Sequence, residues 1–259
     1  GSFIVYSASR TRIEGEPFAF ATRQVVFGII GLVAMVFVMS VDYETLKDRA
    51  VSIYIVTIAM LVLLLLIGLA QGVSRISFDF GPFNLQPAEL AKFSTMLLLA
   101  AFLAEERTDE VSYPRFLGGL ILVGFPAVLV IIQPDLGSAS VLVALAMGTL
   151  LIAGARPKYI VAVSVLAVMT VLAAFVARLV NEYQVQRLKV FLDQETTDPG
   201  LQDAVYQVRN AIRAVGTGGL WGKGWLDGPL TNGRDIPVMW ADFPFAAVAE
   251  QFGLVGCVV

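Results

Sequence analysis

The stretch AVSIYIVTIAMLVLLLLIGLAQGVS, residues 50–74, decides the fold. It contains no charge and no proline, and its centre, LVLLLLIGLA at 61–70, is almost wholly apolar. A helix needs roughly 20 apolar residues to cross the hydrocarbon core of a bilayer, and this run supplies them. Further charge-free runs span 24–41, 116–134, 136–155 and 159–177. In a soluble protein several of these helices would have to be apolar all round, which only burial or lipid permits. A composition of 57% hydrophobic and 15% charged residues agrees. The expected fold is an all-α polytopic membrane protein with about eight transmembrane segments in the 259 residues, two of them partial.

Working outward, DYETLKDR at 42–49 ends the second crossing, which covers about 20–41, and leads into the third at 50–71. After it, QGVSRISFDFGPFNLQPAE combines Gly, Pro, Asn and aromatic residues, the composition of an ordered surface loop. The fourth crossing, about 88–104, starts behind Pro87, well suited to a first helical turn, and carries Glu89 and Lys92 there. The fifth, 116–133, contains Pro126, which predicts a kink that neighbouring helices or water must repair. QPDLGS turns the chain into the sixth, 137–154, and ARPK at 155–158 turns it into the seventh, 157–180. Both ends, GSFIVYSAS and GLVGCVV, read as helices cut midway. The organisation is therefore a bundle over 1–180, a large loop over 181–241 and the start of an eighth crossing at 242–259.

Alternation puts Lys47, Arg49, Arg107, Arg115, Arg156 and Lys158 on one side and Arg10, Arg12, Arg23 and Arg75 on the other. The first set is the richer, so the positive-inside rule places it in the cytoplasm and the large loop outside. That loop gathers the polar chemistry: 15 charged residues lie between Arg178 and Asp242, with Trp221, Trp225 and Trp240. Within it, Leu201, Val205, Val208, Ile212 and Val215 recur at a spacing of three and four, one apolar stripe of a helix able to lie on the membrane interface. The segment 183–192 has a shorter pattern of the same kind.

What the chain lacks narrows its chemistry. It has no histidine, so Ser-His-Asp and Cys-His nucleophile pairs are excluded. The single Cys257 allows no disulfide and no cysteine metal cluster. No basic stripe exists outside the loop, which argues against nucleic acid as a partner.

Four features remain as candidates. GTGGLWGKG at 216–224 is not a Walker loop, but its N–H groups and Lys223 could cradle a diphosphate, or the run could be a plain turn. Glu89 and Lys92 are three apart and share a helix face, as a structural ion pair or as a substrate contact. Asp135, behind Pro134, suits an N-cap. Asp242 stands in PVMWADFPFA among Trp240, Phe243 and Phe245. A carboxylate among aromatic rings is expected to lose part of its water, which makes it a better proton acceptor. Capping the helix that follows is its bland alternative.

YSAS at 6–9, LQPAELAK at 85–92, QPDLGSA at 133–139 and YQVQRLKVFLD at 183–193 carry a resemblance, as do YQVRNAIRAVGTGGLWGKG at 206–224 and DFPFAAVAEQFGLVG at 242–256. The chain resembles the SEDS family of shape, elongation, division and sporulation proteins, most closely its rod-shape branch, RodA, with the division branch, FtsW, a cousin. It departs from the family in FLDQ at 191–194, where FLDP is usual, and in ADFPFA at 241–246, where TDFIFA is more typical. The resemblance implies about ten crossings in a full member and a peptidoglycan glycosyltransferase that polymerises lipid II, the lipid-linked disaccharide-pentapeptide, beside a class B penicillin-binding protein. It places the family's essential aspartate on Asp242, the Glu and Lys of its QPAELAK motif on Glu89 and Lys92, and its QPDLG aspartate on Asp135. Arg187, Lys189, Arg209, Arg213 and Lys223 are then candidates for the leaving diphosphate. A divalent cation could share that task, although no dedicated ligand cluster stands in the sequence. A lipid flippase and a non-catalytic scaffold for a penicillin-binding protein are the competing readings.

Overall fold

The structure is a computed structural model, and it describes residues 1–11, 16–73, 75–81, 83–105, 110–176, 202–233, 236 and 239–258. Two compact units result, one of 39–173 and one of 1–38 with 174–259.

The first unit holds helices α3 (Tyr43–Gln71), α4 (Pro87–Ala104), α5 (Tyr113–Ile132) and α6 (Leu136–Ile152), with most of α7 (Pro157–Val176). Asp42 starts α3 by accepting the Glu44 amide, and Gly72, in the left-handed region at φ 65°, ends it. Leu99, Phe116, Val123, Leu142 and Leu150 form one core between α4, α5 and α6. Leu61, Ala88, Ala91, Val130 and Ala139 join α3 to them. The loop expected between the third and fourth crossings is ordered by a short hairpin, β1 (Phe78–Asp79) against β2 (Asn84–Leu85), antiparallel with Phe78 opposite Leu85.

α5 runs unbroken through Pro126, and the reason lies in α3. Proline has no N–H for the carbonyl four residues back. That carbonyl, of Leu122, instead accepts the Tyr54 hydroxyl at 2.8 Å. The expected repair by a neighbouring helix is therefore a single side chain.

The alternation of the crossings is visible in the loops. Arg156 pairs with Glu110 at 2.7 Å, and the Val111 amide donates to the Gly154 carbonyl at 3.2 Å, so the connections after α4 and α6 lie together. The Glu110 carboxylate beside it pushes the Arg156 guanidinium still further above its ordinary range, so this exposed arginine stays charged at any working pH. At the other end Gln86 Nε2 donates to Asp135 Oδ2 at 2.8 Å, tying the hairpin side of α4 to the start of α6.

The second unit holds α1 (Ser2–Ser9), most of α2 (Ala19–Met39), α8 (Gln202–Gly218), the short α9 (Pro229–Asn232) and α10 (Met239–Asp242), and α11 (Pro244–Val258). Ala8, Ala211, Ala214, Ile236, Met239, Ala246 and Ala247 are its core. α2 buries none of its residues and turns an apolar surface outward on all sides, as a lipid-facing helix does.

Among the described residues, Ala19–Met39, Tyr43–Gln71, Pro87–Ala104 and Tyr113–Ile132 are long and apolar enough to cross a membrane. Leu136–Ile152 and Pro244–Val258 are shorter apolar helices, and α7 is apolar over Pro157–Met169. The chain is a helical, multi-pass membrane protein, as its sequence predicts.

Candidate functional site

The C-terminal site is built on the packing of α8 against α11. The helix expected over 201–215 is present as α8; of its apolar stripe Val205 is buried with Val208 half-buried against it, and other residues line the seam with α11. Ala211 and Ala214 are buried against Ala246 and Ala247, while Ile212 is 51% and Val215 41% exposed. Close approach of two helices selects small side chains along the seam, whatever the larger apolar residues beside it prefer. Gly218 extends that seam, where a Cβ would collide with the Ala249 carbonyl. The displaced apolar residues have another use: Val208, Ile212 and Val215 form one wall of a cleft of about 230 Å³, with Phe243, Phe245 and Asp242 opposite.

Asp242 is the last residue of α10, and α11 begins two residues later at Pro244. Its side chain is exposed at the rim of the cleft and makes no hydrogen bond or ion pair among the described residues. Two expectations are corrected here. Asp242 does not cap α11, because it closes α10 and the chain turns at Phe243 before the next helix starts. Nor do the aromatic neighbours strip its water: Phe243 packs half-buried against the core, and Phe245 points out at 59% exposure. The side chain of Trp240 lies outside the described residues.

The glycine-rich run is neither the open diphosphate cradle nor the plain turn that its sequence allows. α11 is broken at Gly253, whose φ of 65° and ψ of −165° are not helical. In an unbroken helix the carbonyls of Glu250 and Gln251 would accept the amides of Leu254 and Val255. Here those carbonyls accept Lys223 N–H at 2.9 Å and Gly224 N–H at 3.0 Å. The amides of Leu254 and Val255 donate in turn to Gly219 at 2.9 Å and Leu220 at 3.2 Å. The run 218–224 is thus spliced into the helix break and satisfies the four backbone groups that the break frees. The amides of Gly222, Lys223 and Gly224 are all spent on carbonyls, so they cannot cradle an anion. The Lys223 side chain is exposed and has no partner among the described residues, so it remains available to do so.

Glu250 and Gln251, just before the break, are the residues that sequence reasoning missed. Both are buried, at 0% and 1% exposure. Glu250 Oε1 accepts the Leu230 amide at 2.9 Å, and Oε2 accepts the Thr231 amide at 2.8 Å and its hydroxyl at 2.6 Å. Gln251 Oε1 accepts the Ser7 hydroxyl at 2.7 Å and the Leu226 amide at 3.0 Å. Arg10 completes the network with 2.7 Å to the Leu226 carbonyl and 3.2 Å to Asn232 Oδ1. The end of α1, the 226–232 loop and α11 are therefore held by one buried polar net. The signal was an acid and an amide, adjacent, inside an otherwise apolar helix; both side-chain oxygens of Glu250 and the Gln251 Oε1 are satisfied, while Gln251 Nε2 is buried with no partner among the described residues.

Glu250→Gln tests that net. An amide nitrogen would face donors on Thr231 or Leu230, leaving a buried donor unpaired at a cost of about 1–3 kcal/mol. A lower melting temperature of the solubilised protein is expected, and an unchanged one would show that the loop does not lean on this carboxylate.

In the other unit the candidates also resolve. Lys92 Nζ meets Glu89 Oε1 at 2.7 Å, with the Glu89 side chain 59% exposed, so the pair stands on the open face of the first turns of α4. Asp135 caps α6 by accepting the Ser138 amide at 2.9 Å, as its spacing predicts, and holds Gln86 with its other oxygen. Arg209 and Arg213 are exposed on α8. Arg187, Lys189 and the shorter helical pattern at 183–192 lie outside the described residues. Among the described residues no three acidic or cysteine side chains converge to hold a metal.

The sequence matches the FtsW/RodA/SpoVE cell cycle protein family over residues 1–259. The chain belongs to this family. Stage V sporulation protein E of Bacillus subtilis (strain 168) is 32% identical over 99% of this chain and 70% of its own length. Peptidoglycan glycosyltransferase MrdB of Escherichia coli (strain K12) is 32% identical over 100% of this chain and 67% of its own. The probable peptidoglycan glycosyltransferase FtsW of Haemophilus ducreyi is 31% identical over 100% of this chain and 64% of its own. The chain thus spans about two thirds of its relatives' length. Its fold is that of rod shape determining protein RodA of Thermus thermophilus, with a TM-score of 0.58 at 20% identity over 99% of this chain and 65% of that one. A chain from a structure described as a peptidoglycan synthase complex gives a TM-score of 0.67 at 23% identity, over 99% of this chain and 71% of that one. The match to this SEDS family covers both units, from α1 to α11.

Proposed function

We propose that this SEDS chain is the greater part of a peptidoglycan glycosyltransferase, which joins lipid-linked disaccharide-pentapeptide units into glycan strands. The observation that carries the reading is the 32% identity to MrdB over the whole chain. The exposed carboxylate of Asp242 on an apolar cleft supplies the chemistry such a transfer needs.

Asp242 takes the proton from the acceptor sugar hydroxyl, and that oxygen attacks the anomeric carbon of the donor. The bond from that carbon to the lipid diphosphate breaks, and the diphosphate leaves with the electron pair. Arg187, Lys189, Arg209, Arg213 and Lys223 are the cations proposed to meet it, the arginines being able to bind two oxygens at once. The apolar wall of Val208, Ile212 and Val215 suits the lipid segment next to the diphosphate. Filling the cleft covers the free carboxylate and excludes water only when substrate is present, which is when a base is needed. Glu89, Lys92 and Asp135 support the fold on the side that carries the hairpin.

The reaction takes place outside the bacterial cytoplasmic membrane, with the 181–241 loop on that face, as the distribution of Lys and Arg supports. A class B penicillin-binding protein is the proposed partner, in keeping with the likeness to a chain of a peptidoglycan synthase complex.

One experiment separates this reading from a flippase. Full-length protein in vesicles with labelled lipid II is expected to yield glycan polymer. Translocation of the lipid without polymer, abolished by Glu89→Gln, would overturn the proposal in favour of transport.

A further inference from the structure

A second cleft, of about 330 Å³, opens in the 39–173 unit where α3 and α5 end. Ligand clefts run from roughly 300 to 1,000 Å³, so it is large enough to hold part of a small molecule. Its walls are Leu64, Leu65, Leu69 and Ile132, and Arg75 stands among its lining residues.

The position of Arg75 is built rather than incidental. Gly72 ends α3 in the left-handed region, and the Val73 amide turns back to the Gly68 carbonyl at 3.1 Å. A Cβ on Gly68 would stand 2.8 Å from the Val73 carbonyl, so this close return needs glycine there. The turn holds Arg75 half-buried against the end of α3. Its guanidinium has no hydrogen-bond or ion-pair partner among the described residues. Gln133, the other polar side chain lining the cleft, spends its Nε2 on the Leu61 carbonyl at 2.8 Å.

A half-buried arginine whose donors find no partner among the described residues, at the end of a membrane-spanning helix, calls for an anion. The leucine walls call for a hydrocarbon chain. No acidic side chain stands among the lining residues to pair with Arg75 or to compete with an anion for it. We propose that this cleft binds an anionic glycerophospholipid, its acyl chain between α3 and α5 and its single phosphodiester on Arg75. The site goes beyond the glycosyltransferase reading and does not depend on it.

Full-length protein in nanodiscs of phosphatidylcholine, titrated with phosphatidylglycerol and released for native mass spectrometry, tests the site. Wild type is expected to retain phosphatidylglycerol in preference to phosphatidylcholine, and Arg75→Gln to weaken that retention about tenfold, the loss of one charge-assisted contact. Leu65→Trp, which fills the slot and leaves Arg75 in place, is expected to weaken it as well, and it decides the matter if Arg75→Gln cannot be purified. Inorganic phosphate at millimolar concentration is expected not to compete. Equal retention of the two lipids, unchanged retention in either variant, or displacement by phosphate alone would each overturn the proposal.

Discussion

Replacing Asp242 by asparagine is expected to lower lipid II polymerisation by at least about 100-fold, the lower bound for losing a positioned general base. Asparagine keeps the size of the side chain and its place at the cleft rim but cannot accept the proton of the acceptor hydroxyl. The loss will not trace to misfolding, because the carboxylate is exposed and makes no bond within the described residues. Exposed substitutions of this kind change stability by no more than about 0.5 kcal/mol. Glycan length on gels and melting temperature, measured on the same preparation, therefore separate chemistry from folding. Asp242→Glu adds one methylene and displaces the carboxylate by about 1 Å, enough to cost about 100-fold where geometry matters. Polymerisation by Asp242→Asn within threefold of wild type would remove Asp242 from the reaction and leave the cleft without its base.

The transmembrane fold was legible because lipid demands long apolar runs and leaves little else to read. Crossing four, its Pro87 start and the Asp135 cap followed from local rules that tertiary packing did not overrule. The site was legible only in part. Asp242 could be singled out as a carboxylate at the membrane border, but its surroundings depend on where Phe243 and Phe245 turn, and α10 sets that. Periodicity picks out the apolar stripe of Leu201, Val205, Val208, Ile212 and Val215, because it records which residues are large and apolar. It does not record that Ala211 and Ala214 allow a second helix to come closer. The glycine-rich run was the least legible. Free amides and spent amides look alike in sequence, and the partners of Lys223 and Gly224 lie at Glu250 and Gln251, far along the chain.

That splice carries the second large prediction. Gly253→Ala is expected to destabilise the protein by about 3–5 kcal/mol, from two costs that add. The backbone at φ 65° and ψ −165° lies in a region nearly restricted to glycine, worth about 1–3 kcal/mol for any other residue. A Cβ there would also collide with the Gly222 amide and stand 2.6 Å from the Leu220 carbonyl. These are backbone atoms of the run that closes the break, so relief must come from pulling the splice apart. Each of its four hydrogen bonds, once open, leaves a carbonyl or amide without its partner. Gly216→Ala is the internal control: it sits in α8, within a few residues of the same loop, with open space around it and no positive φ. It should be neutral or stabilising by about 0.5–1 kcal/mol, the ordinary gain of alanine in a helix. The activity consequence follows from geometry, because the splice fixes the end of α8 to α11 and those helices are the two walls beside Asp242. Gly253→Ala should therefore lose thermal stability and polymerisation together, while Gly216→Ala keeps both. A Gly253→Ala protein that melts within a degree or two of wild type would mean that α11 can run straight through the break and that the glycine-rich run is not what holds the cleft open.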